Sequence, residues 1–378
     1  DPSHPGVLAT SADVAALDGD PATRWRPSAG AAAPVLALDL GAAAEISTIT
    51  LDREAGPVTV ATDGGRYVLP TGRTLTIPTQ RTRTLSLTFT RPPGRADWTA
   101  PENITVLKAR RTGGDAQSPW APAPIDEVVS TIASVKPAVV FAPHVETASG
   151  MMLPDDYMKK IADAVHAVGG LFVLDCIASG AIWVDMGETG VDVLISAPQK
   201  GWSAPPAAGL VMFSARGLER LEATTSDSFA LDLTKWRAIM KAYEDGGHAY
   251  HATLPTDALL TLRDAMVETR EMGFAAAKAA QWDLGRKVRA ELAARGFRSV
   301  AAEGFAAPGV VVSYTDDAEM QNGRKFLAEG MQIAAGVPLQ VGEGADFRTF
   351  RLGLFGLDKL RNVDATVARV TAVLDKVV

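Results

Sequence analysis

Two short apolar runs in the middle of the chain constrain its fold more than any other feature. Residues 171–175 read Leu-Phe-Val-Leu-Asp and follow an amphipathic segment at 155–168, and residues 191–195 read Val-Asp-Val-Leu-Ile. Apolar strands that alternate with amphipathic helices predict βαβ units and a mostly parallel sheet. The first run ends in Asp175 and Lys200 comes soon after the second, so a carboxylate and an amine follow the two predicted strands.

The alternation of helices and strands extends from Ile125 to the end of the chain. A proline at position 255 ends one stretch, and a long helical run starts at Thr256. We expect a large-domain portion over 125–260, then a long helix and a small α+β domain over 261–378. The predicted helices are 125–135, 155–168, a run from 256, one from about 288, one near 325 and 363–377; the predicted strands are 138–142, 171–175, 191–195 and 309–313.

The first 110 residues have a different pattern, which is typical of a β domain. Short segments that largely alternate apolar and polar residues are separated by Gly, Pro and Asp turns. This spacing predicts an all-β, sandwich-like module. Residues 111–124 are rich in Gly and Pro, and we predict a linker there. The fold class is therefore α/β with a preceding β module, whose predicted strands are 35–40, 46–51, 58–61 and 84–90.

Five motifs follow one another in the later part of the chain. They are Ala-Pro-His-Val-Glu-Thr-Ala-Ser-Gly at 142–150, Val-Leu-Asp-Cys-Ile-Ala-Ser at 173–179, Ser-Ala-Pro-Gln-Lys-Gly-Trp-Ser-Ala-Pro-Pro at 196–206, Tyr-His-Ala-Thr-Leu-Pro at 250–255 and Arg-Leu-Gly-Leu-Phe-Gly at 351–356. In order and spacing, this set resembles the class V aminotransferases of fold type I, in the alanine–glyoxylate and serine–pyruvate branch. The resemblance covers about residues 120–378. It implies a PLP-transferase-like fold with pyridoxal 5'-phosphate (PLP) as cofactor.

The resemblance assigns the central chemistry to three residues. Lys200 is expected to form a Schiff base with the PLP aldehyde and to act as base and then acid on the substrate Cα proton. Asp175 is expected to pair with the protonated pyridine nitrogen, and Arg351 to bind the substrate carboxylate. The implied reaction moves an amino group from a small amino acid (alanine or serine type) to a small 2-oxo acid (glyoxylate or pyruvate type). Outside such motifs, these residue types are more often surface residues, helix caps or surface ion pairs.

Other motif positions imply further contacts to the cofactor. They are Thr147 for the phenolic oxygen, Gln199 for the phosphate, Ile177 for the ring face, His144 for a contact that core packing explains equally well, and Tyr250 and Thr253 for the phosphate in the partner subunit. Because the last two would act across an interface, the resemblance implies a homodimer with shared sites. Without the resemblance, these residues are ordinary turn, loop or core residues.

One part of the family pattern has no match in this chain. The family carries a Gly-rich turn that holds the cofactor phosphate, an aromatic residue that stacks on the ring and several strands, all upstream of the His144 motif. Neither Gly64-Gly65 nor Gly113-Gly114 precedes a predicted helix, and residues 1–120 have the β pattern instead. We therefore expect either a chimera or fragment with an incomplete site, or a diverged version of this part.

The β module carries a resemblance of its own. The stretch Ala-Leu-Asp-Gly-Asp-Pro-Ala-Thr-Arg-Trp at 16–25 and Leu-Asp-Leu-Gly at 38–41 resemble the opening of a discoidin (F5/8 type C) module. Such modules often bind sugars or surfaces. This gives an alternative function, a non-catalytic glycan- or surface-binding protein whose aminotransferase-like remainder is silent. Asp18, Asp20 and Asp39 suit turns better than a calcium site, so no metal is predicted.

Composition argues against several other classes of function. The 378 residues carry a net charge of -7, whereas nucleic-acid-binding domains present basic faces. The single cysteine, Cys176, excludes an internal disulfide, and a predicted strand end suits a core residue better than the mobile thiol of a desulfurase. No apolar run reaches about 18 residues and no leader pattern is visible, so we predict no membrane span. We expect a cytoplasmic protein, although the β module would also suit an extracytoplasmic setting.

Overall fold

The chain divides into two compact units, which we call unit 1 (Asp1–Val106) and unit 2 (Leu107–Val378). The division lies close to the predicted end of the β module at residue 110. The structure is a computed structural model, and it describes residues 35–55, 58–69, 72–89 and 105–378.

The described part of unit 1 is one antiparallel sheet of four strands. The strands are β1 (Val35–Ala55), β2 (Val58–Thr62), β3 (Gly65–Leu69) and β4 (Gly72–Phe89), in the order β1-β4-β2-β3. Val58 and Val60 of β2 and Leu85 and Leu87 of β4 pack with Leu69 on one buried face. Their alternation with polar residues accounts for this one-sided burial.

Unit 1 differs from the prediction in three of its four described strands. Strand β3 was not predicted, and β4 begins at Gly72 rather than at residue 84. Strands were expected at 35–40 and 46–51 with a break between them, whereas β1 runs through both. The register between β1 and β4 shifts between Asp39 and Ala44, so an irregularity absorbs the intervening residues without ending the strand. The described residues of this unit do not form the second sheet of a sandwich, and the discoidin-like stretch at 16–25 lies outside them.

Unit 2 alternates helices and strands along most of its length. Its strands are β5 (Arg110–Arg111), β6 (Trp120–Ala121), β7 (Val139–Pro143), β8 (Val145–Glu146), β9 (Met151–Met152), β10 (Leu171–Asp175), β11 (Val193–Ser196), β12 (Leu210–Phe213), β13 (Val310–Tyr314), β14 (Ala334–Ala335) and β15 (Thr349–Gly353). Its helices are α1 (Ile125–Val135), α2 (Asp155–Ala167), α3 (Met186–Thr189), α4 (Ala215–Glu222), α5 (Leu233–Glu244), α6 (Thr256–Met272), α7 (Phe274–Ala294), α8 (Ala318–Gln321), α9 (Arg324–Ala328), α10 (Leu357–Leu360) and α11 (Val363–Val377). No helix in the described part of the chain combines the length and apolar character that crossing a bilayer requires.

A four-stranded sheet in the order β12-β11-β10-β7 is the centre of the first half of unit 2. Strands β7, β10 and β11 are parallel, and β12 runs antiparallel to β11. Helices α1 and α2 cover one face, where Phe172 and Leu174 of β10 pack with Met158 and Val165 of α2. The mostly parallel sheet predicted from the two apolar runs is therefore confirmed.

Strand β7 is an edge of this sheet among the described strands. Its residues Val140 and Ala142 pack with the cluster under α1 and α2, whereas Val139 and Phe141 are 51% and 59% exposed. Parallel sheets are normally covered on both faces. In the family pattern, further strands precede β7, and this sequence has no match to them. The exposed side chains on β7 agree with that difference.

The second half of unit 2 contains an antiparallel sheet packed with helices, in the region where the small α+β domain was predicted. Strands β13, β15 and β14 form an antiparallel sheet in that order, and Phe326 and Phe350 are buried with Leu284 of α7 in its core. Helix α11 has the predicted bounds. Helix α7 begins at Phe274, well before the predicted start, because Gly273 at φ 90° ends α6 and allows a new helix to follow directly.

Residues 111–124 differ from the predicted linker because they pack into unit 2. Strands β5 and β6 pair, and Trp120 is buried. The Trp120 backbone N–H donates to Val300 O at 2.7 Å, and its indole Nε1–H donates to the Tyr314 hydroxyl at 3.1 Å. The Tyr314 hydroxyl donates in turn to Ser118 O at 2.8 Å. Trp120 thus anchors a Gly- and Pro-rich segment that would otherwise suit a spacer.

Replacing Trp120 with alanine is expected to destabilise unit 2 by about 3–5 kcal/mol, because the change leaves a large cavity in a packed core. Denaturant unfolding of the full chain, followed by far-ultraviolet circular dichroism, measures the loss. Trp236→Ala is the matched control, since Trp236 is only half-buried, and it should cost much less. Equal and small losses in both variants would mean that the 111–124 segment is a spacer after all.

Candidate active site

Asp175 is the last residue of β10 and lies at the carboxyl edge of the parallel sheet. It pairs in register with Pro143 of β7 on one side and with Ile195 of β11 on the other. Its side chain is half-buried, and its Oδ1 accepts a hydrogen bond from the Ile177 N–H at 2.9 Å. The turn that follows the strand therefore orients the carboxylate.

Lys200 lies in the turn that follows β11, at the same edge of the sheet. Its side chain is half-buried, and its Nζ lies 5.8 Å from the centre of the Phe355 ring. Within the described residues, Nζ makes no hydrogen bond and no ion pair. A half-buried amine without an anionic partner is available for chemistry.

Two glycines bring the Lys200 turn against the turn that follows Asp175. A Cβ on Gly201 would lie 2.2 Å from the carbonyl oxygen of Gly180, so only glycine permits this approach. Gly180 itself has φ 65°, and a Cβ there would lie 2.8 Å from the Gln281 Oε1. The two chemical groups that the sequence placed on separate strands are therefore carried by turns that touch.

The loop at 144–150 lies between β7 and β9 and is fixed by Glu146. The Glu146 carboxylate accepts hydrogen bonds from Ala148 N at 2.7 Å, from Ser149 N at 2.8 Å and from the Ser149 hydroxyl at 2.6 Å. Thr147, which is half-buried, lies within this loop. The carboxylate thus satisfies the backbone of the loop and holds Thr147 in place.

Arg351 joins this loop to the small domain. It lies on β15, opposite Val312 of β13 and Ala334 of β14. Its Nε–H donates to Ala335 O at 2.7 Å, and one Nη donates to Thr147 O at 3.3 Å. The guanidinium has no carboxylate partner in the described part of the chain, so part of its donor fork is free for a ligand.

His144 is buried and bonded to the turn that carries Asp175. Its ring Nδ1 lies 2.7 Å from the Ser179 Oγ, and its Nε2 has no hydrogen-bond partner among the described residues. Burial lowers the pKa of His144 from 6.5 to about 4, and the positive charge of Lys278 acts in the same direction. The ring is therefore neutral at neutral pH.

We expect the stability of the chain to fall between pH 6.5 and about pH 4, because the unfolded His144 takes up a proton that the folded ring resists. Stability rises with pH wherever the unfolded state binds more protons, so this contribution is present above pH 6.5 and is lost as pH falls. The loss is on the order of 3 kcal/mol at the lower end. Urea unfolding of wild type and His144→Gln measures it, and an identical pH slope in both proteins would contradict the expectation.

The structure leaves three of the sequence-predicted residues on the surface. Gln199 is exposed although it adjoins Lys200. Tyr250 is 79% exposed, and its hydroxyl lies 3.3 Å from the Thr253 Oγ1. Among the described residues, neither Tyr250 nor Thr253 makes a hydrogen bond to Asp175, Lys200 or Arg351. Such exposure suits residues that contact a partner subunit, which is the role that the family resemblance implies.

Cys176 and Ile177 follow Asp175 with different surroundings. Cys176 is buried in the core cluster under α2, and burial raises the pKa of its thiol to about 12. It is therefore an unreactive core residue, as expected. Ile177 is half-buried, which leaves part of its side chain at the surface of the site.

Sequence reasoning missed three residues that shape the site. Ser179 bonds to His144, Phe355 lies beside Lys200, and the Ser203 Oγ accepts a hydrogen bond from Leu357 N at 3.0 Å. All three lie inside the motifs at 173–179, 196–206 and 351–356. The motifs therefore contained these residues. Which residues of different motifs contact one another depends on how the turns pack together.

Comparison with known proteins assigns the family. The sequence model of the family described as Aminotransferase class-V matches residues 116–340, which is more than half of the chain. The chain belongs to the class V aminotransferase family. The family and the solved structures that resemble this fold are PLP-dependent enzymes. The matched residues contain Asp175 and Lys200 and end before Arg351.

Curated relatives are similar to this chain over a part of their length. The small subunit of a soluble hydrogenase from Synechococcus sp. is 28% identical over 62% of this chain and 59% of its own length. The alanine–glyoxylate aminotransferase of Callithrix jacchus is 27% identical over 64% and 58%. The 2-aminoethylphosphonate–pyruvate transaminase of Syntrophobacter fumaroxidans is 29% identical over 61% and 61%. The chain thus spans about three fifths of the length of the curated relatives it matches.

Solved structures confirm the fold of the matching part. An alanine–glyoxylate aminotransferase from Nostoc sp. has a TM-score of 0.56 at 21% identity, covering 66% of this chain and 65% of that one. The ureidoglycine–glyoxylate aminotransferase of Bacillus subtilis has a TM-score of 0.55 at 22% identity, covering 67% and 63%. At these identities the likeness supports the predicted PLP-transferase fold and leaves substrates open.

Proposed function

We propose that this protein is a PLP-dependent transaminase that moves an amino group from a small amino acid (alanine or serine type) to a small 2-oxo acid (glyoxylate or pyruvate type). One observation carries the proposal. Asp175 and Lys200 are half-buried at one edge of the parallel sheet, and within the described residues neither has an oppositely charged partner. A carboxylate and an amine in this state fit a ligand that brings a pyridinium and an aldehyde.

Asp175 and Lys200 would hold PLP from two sides of the site. When bound, PLP supplies an electron sink that weakens the covalent Cα–H bond of the substrate, because it takes up the electron pair left on Cα. Lys200 Nζ would take that proton as a base and return it as an acid. The Phe355 ring would shield one side of the amine, and the Ile177 N–H keeps the Asp175 carboxylate in one orientation.

Arg351 would bind and orient the substrate carboxylate. Bonds to Ala335 O and Thr147 O fix the guanidinium and leave its other N–H groups for a bidentate carboxylate contact. The hydroxyl of Thr147 would contact the phenolic oxygen of the cofactor. The loop at 144–150 would then connect the two subsites. The Thr147 hydroxyl would contact the cofactor, and its carbonyl oxygen accepts a hydrogen bond from Arg351, which would bind the substrate.

We propose that the working form is a homodimer. Tyr250 and Thr253 would reach the phosphate in the partner subunit, while Gln199 would contact the phosphate in its own. An exposed apolar patch adjoins these residues, since the Phe229 ring lies 4.2 Å from that of His251 and is itself 67% exposed. Exposed apolar patches of this kind mark interaction surfaces. Leu231, Met240 and Tyr243, on and next to α5, are also exposed apolar or aromatic residues.

The proposed substrate class rests on the relatives. The names of two similar proteins contain glyoxylate or pyruvate as the acceptor, in both cases a small 2-oxo acid. Their donors differ, since one is alanine and the other is 2-aminoethylphosphonate. The acceptor class is therefore better supported than the donor class.

A two-stage absorbance experiment tests the proposed reaction. Protein loaded with PLP is mixed with alanine in the absence of an acceptor, and the cofactor band should move to shorter wavelength as the amino group is transferred to the cofactor. Addition of glyoxylate should restore the original band and release glycine in equal amount. With serine in place of alanine, release of ammonia and pyruvate without recovery by glyoxylate would instead identify a lyase, because the serine β-hydroxyl can leave as water.

Replacing Arg351 with glutamine is expected to raise KM for the amino acid about 10- to 100-fold, because one charge-assisted contact to the carboxylate is worth about 1.5–3 kcal/mol. PLP uptake should be unchanged. Arg348→Gln provides the control, since Arg348 lies just before β15 and its guanidinium bonds to the Asp316 carbonyl instead. Steady-state kinetics with alanine measures both variants, and an unchanged KM in Arg351→Gln would exclude the carboxylate role.

A further inference from the structure

We infer that His144 is a positioning residue that, through Ser179, fixes the turn at 175–180 and thereby both Asp175 and the Lys200 turn. The inference deepens the proposed function, on which the roles of Asp175 and Lys200 rest. The sequence left His144 open between a cofactor contact and a core residue. The contacts of its backbone and ring favour a third role.

The backbone of His144 holds the start of the turn. Its N–H donates to the Asp175 carbonyl oxygen at 2.8 Å, and its own carbonyl oxygen accepts from Leu153 N at 2.9 Å. His144 directly follows β7, whose last residue, Pro143, pairs in register with Asp175. The peptide of residue 144 therefore extends the sheet ladder by one bond at the point where β10 ends.

The ring of His144 holds the end of the same turn. Its Nδ1 lies 2.7 Å from the Ser179 Oγ, and the two residues are 1% and 4% exposed. Ser179 N also donates to Cys176 O at 3.2 Å, so the turn is closed on itself as well. One residue, directly after the neighbouring strand β7, thus holds both ends of the segment that begins with Asp175.

Movement of this turn would displace both chemical groups. The Ile177 N–H, which orients the Asp175 carboxylate, lies inside the turn. Gly180 ends it, and the Gly180 carbonyl touches Gly201 next to Lys200 so closely that a Cβ would lie 2.2 Å away. By restraining Ser179, the His144 ring therefore also restrains the positions of Asp175 and of the turn that carries Lys200.

Plain core packing does not account for an imidazole at this position. The buried Nε2 of His144 has no hydrogen-bond partner in the described part of the chain, and a buried polar atom in that state costs free energy. An apolar side chain of similar size would avoid the cost. The hydrogen bond between Nδ1 and Ser179 offsets the cost of burying Nε2. This favours holding the turn at 175–180 as the role of the His144 ring.

Hydrogen exchange on the full-length protein without added PLP tests, independently of the cofactor, whether His144 holds this turn. We expect amide exchange in a peptide covering 175–182 to rise about tenfold or more in Ser179→Ala and in His144→Gln. Ser214→Ala is the matched control, because its hydroxyl makes two comparable hydrogen bonds, to Asp192 and from Gly217 N, away from this turn. That variant should leave the 175–182 peptide unchanged. Two different substitutions keep the test valid if one of them fails to fold.

PLP titrations of the same variants separate this inference from the proposed function. The positioning role is supported if exchange is faster, the Kd for PLP rises about tenfold and the KM for the amino acid is unchanged. Unchanged exchange in both variants overturns the inference, and so does faster exchange with PLP binding like wild type. If wild type itself takes up no PLP, the proposed function fails, while the exchange rates still decide whether His144 holds the turn.

Discussion

A Lys200→Ala variant should fold normally, lose the PLP absorbance near the edge of the visible range and transfer amino groups at least about 10³-fold more slowly. The reason is chemical: Nζ of Lys200 is the proposed attachment point of the cofactor and the proposed carrier of the substrate proton. The fold should persist, because within the described residues Nζ makes no hydrogen bond or ion pair that the change would break. Absorbance after PLP addition and a coupled alanine–glyoxylate assay measure both effects.

Lys159→Ala is the control for the loss of a lysine. Lys159 is exposed on α2 and pairs with Asp163 four residues further along the helix. Surface pairs of this kind contribute little to stability, so absorbance and rate should remain those of wild type. A Lys200→Ala protein that still holds PLP with the wild-type spectrum would exclude Lys200 as the attachment point.

An Asp175→Asn variant should lower kcat about 10²-fold or more. The neutral amide can still accept the hydrogen bond from Ile177, so the turn is kept, but it cannot balance a pyridinium charge. Removing the partner of a buried charge costs about 3–5 kcal/mol, which converts to at least a hundredfold in rate. Steady-state kinetics at saturating PLP, together with the pH dependence of the cofactor spectrum, measures the effect.

Asp163→Asn is the matched control for the Asp175 variant. It makes the same chemical change on an exposed residue that, among the described residues, pairs with Lys159. We expect wild-type kinetics and an unchanged spectrum. If Asp175→Asn also behaved as wild type, the carboxylate would have no role at the cofactor nitrogen and the proposed site would lose its second anchor.

Helices with a clear apolar stripe and a defined start were predictable from the sequence. Helix α1 follows Pro124, and α11 follows Asn362, whose side chain accepts a hydrogen bond from Ala365 N. Both have the predicted bounds. The start of α7 was not predictable, because the alanine-rich stretch after Gly273 lacks a strong apolar period. The packing of residues 111–124 was hidden too, since Trp120 is buried against residues far along the chain.

The residues of the candidate site were more predictable than their contacts. Asp175 and Lys200 could be placed at one sheet edge, because strand ends in a parallel sheet share an edge. The bond between His144 and Ser179 and the approach of Gly201 to Gly180 depend on the path of two turns, which no periodic pattern encodes. Such contacts arise from tertiary packing, so sequence motifs indicate the members of a site but not its internal bonds.

The exposed edge at β7 bears on how tightly PLP would be held. Sequence reasoning found no phosphate-binding turn upstream of residue 120, and the family match begins at residue 116. Val139 and Phe141 remain exposed at the edge where the family pattern continues with further strands. Loss of several charge-assisted bonds to the phosphate, at about 1.5–3 kcal/mol each, would weaken PLP binding by orders of magnitude. Titrations should therefore extend to millimolar PLP.

Borohydride reduction followed by peptide mass spectrometry tests the central claim most directly. The protein is incubated with PLP, reduced, digested and searched for lysines that carry the reduced cofactor. We predict one dominant modified peptide, the one that contains Lys200, and its loss when excess alanine is added before reduction. Modification spread over exposed lysines, with Lys200 unmodified at saturating PLP, would contradict the claim that Asp175 and Lys200 form a PLP site.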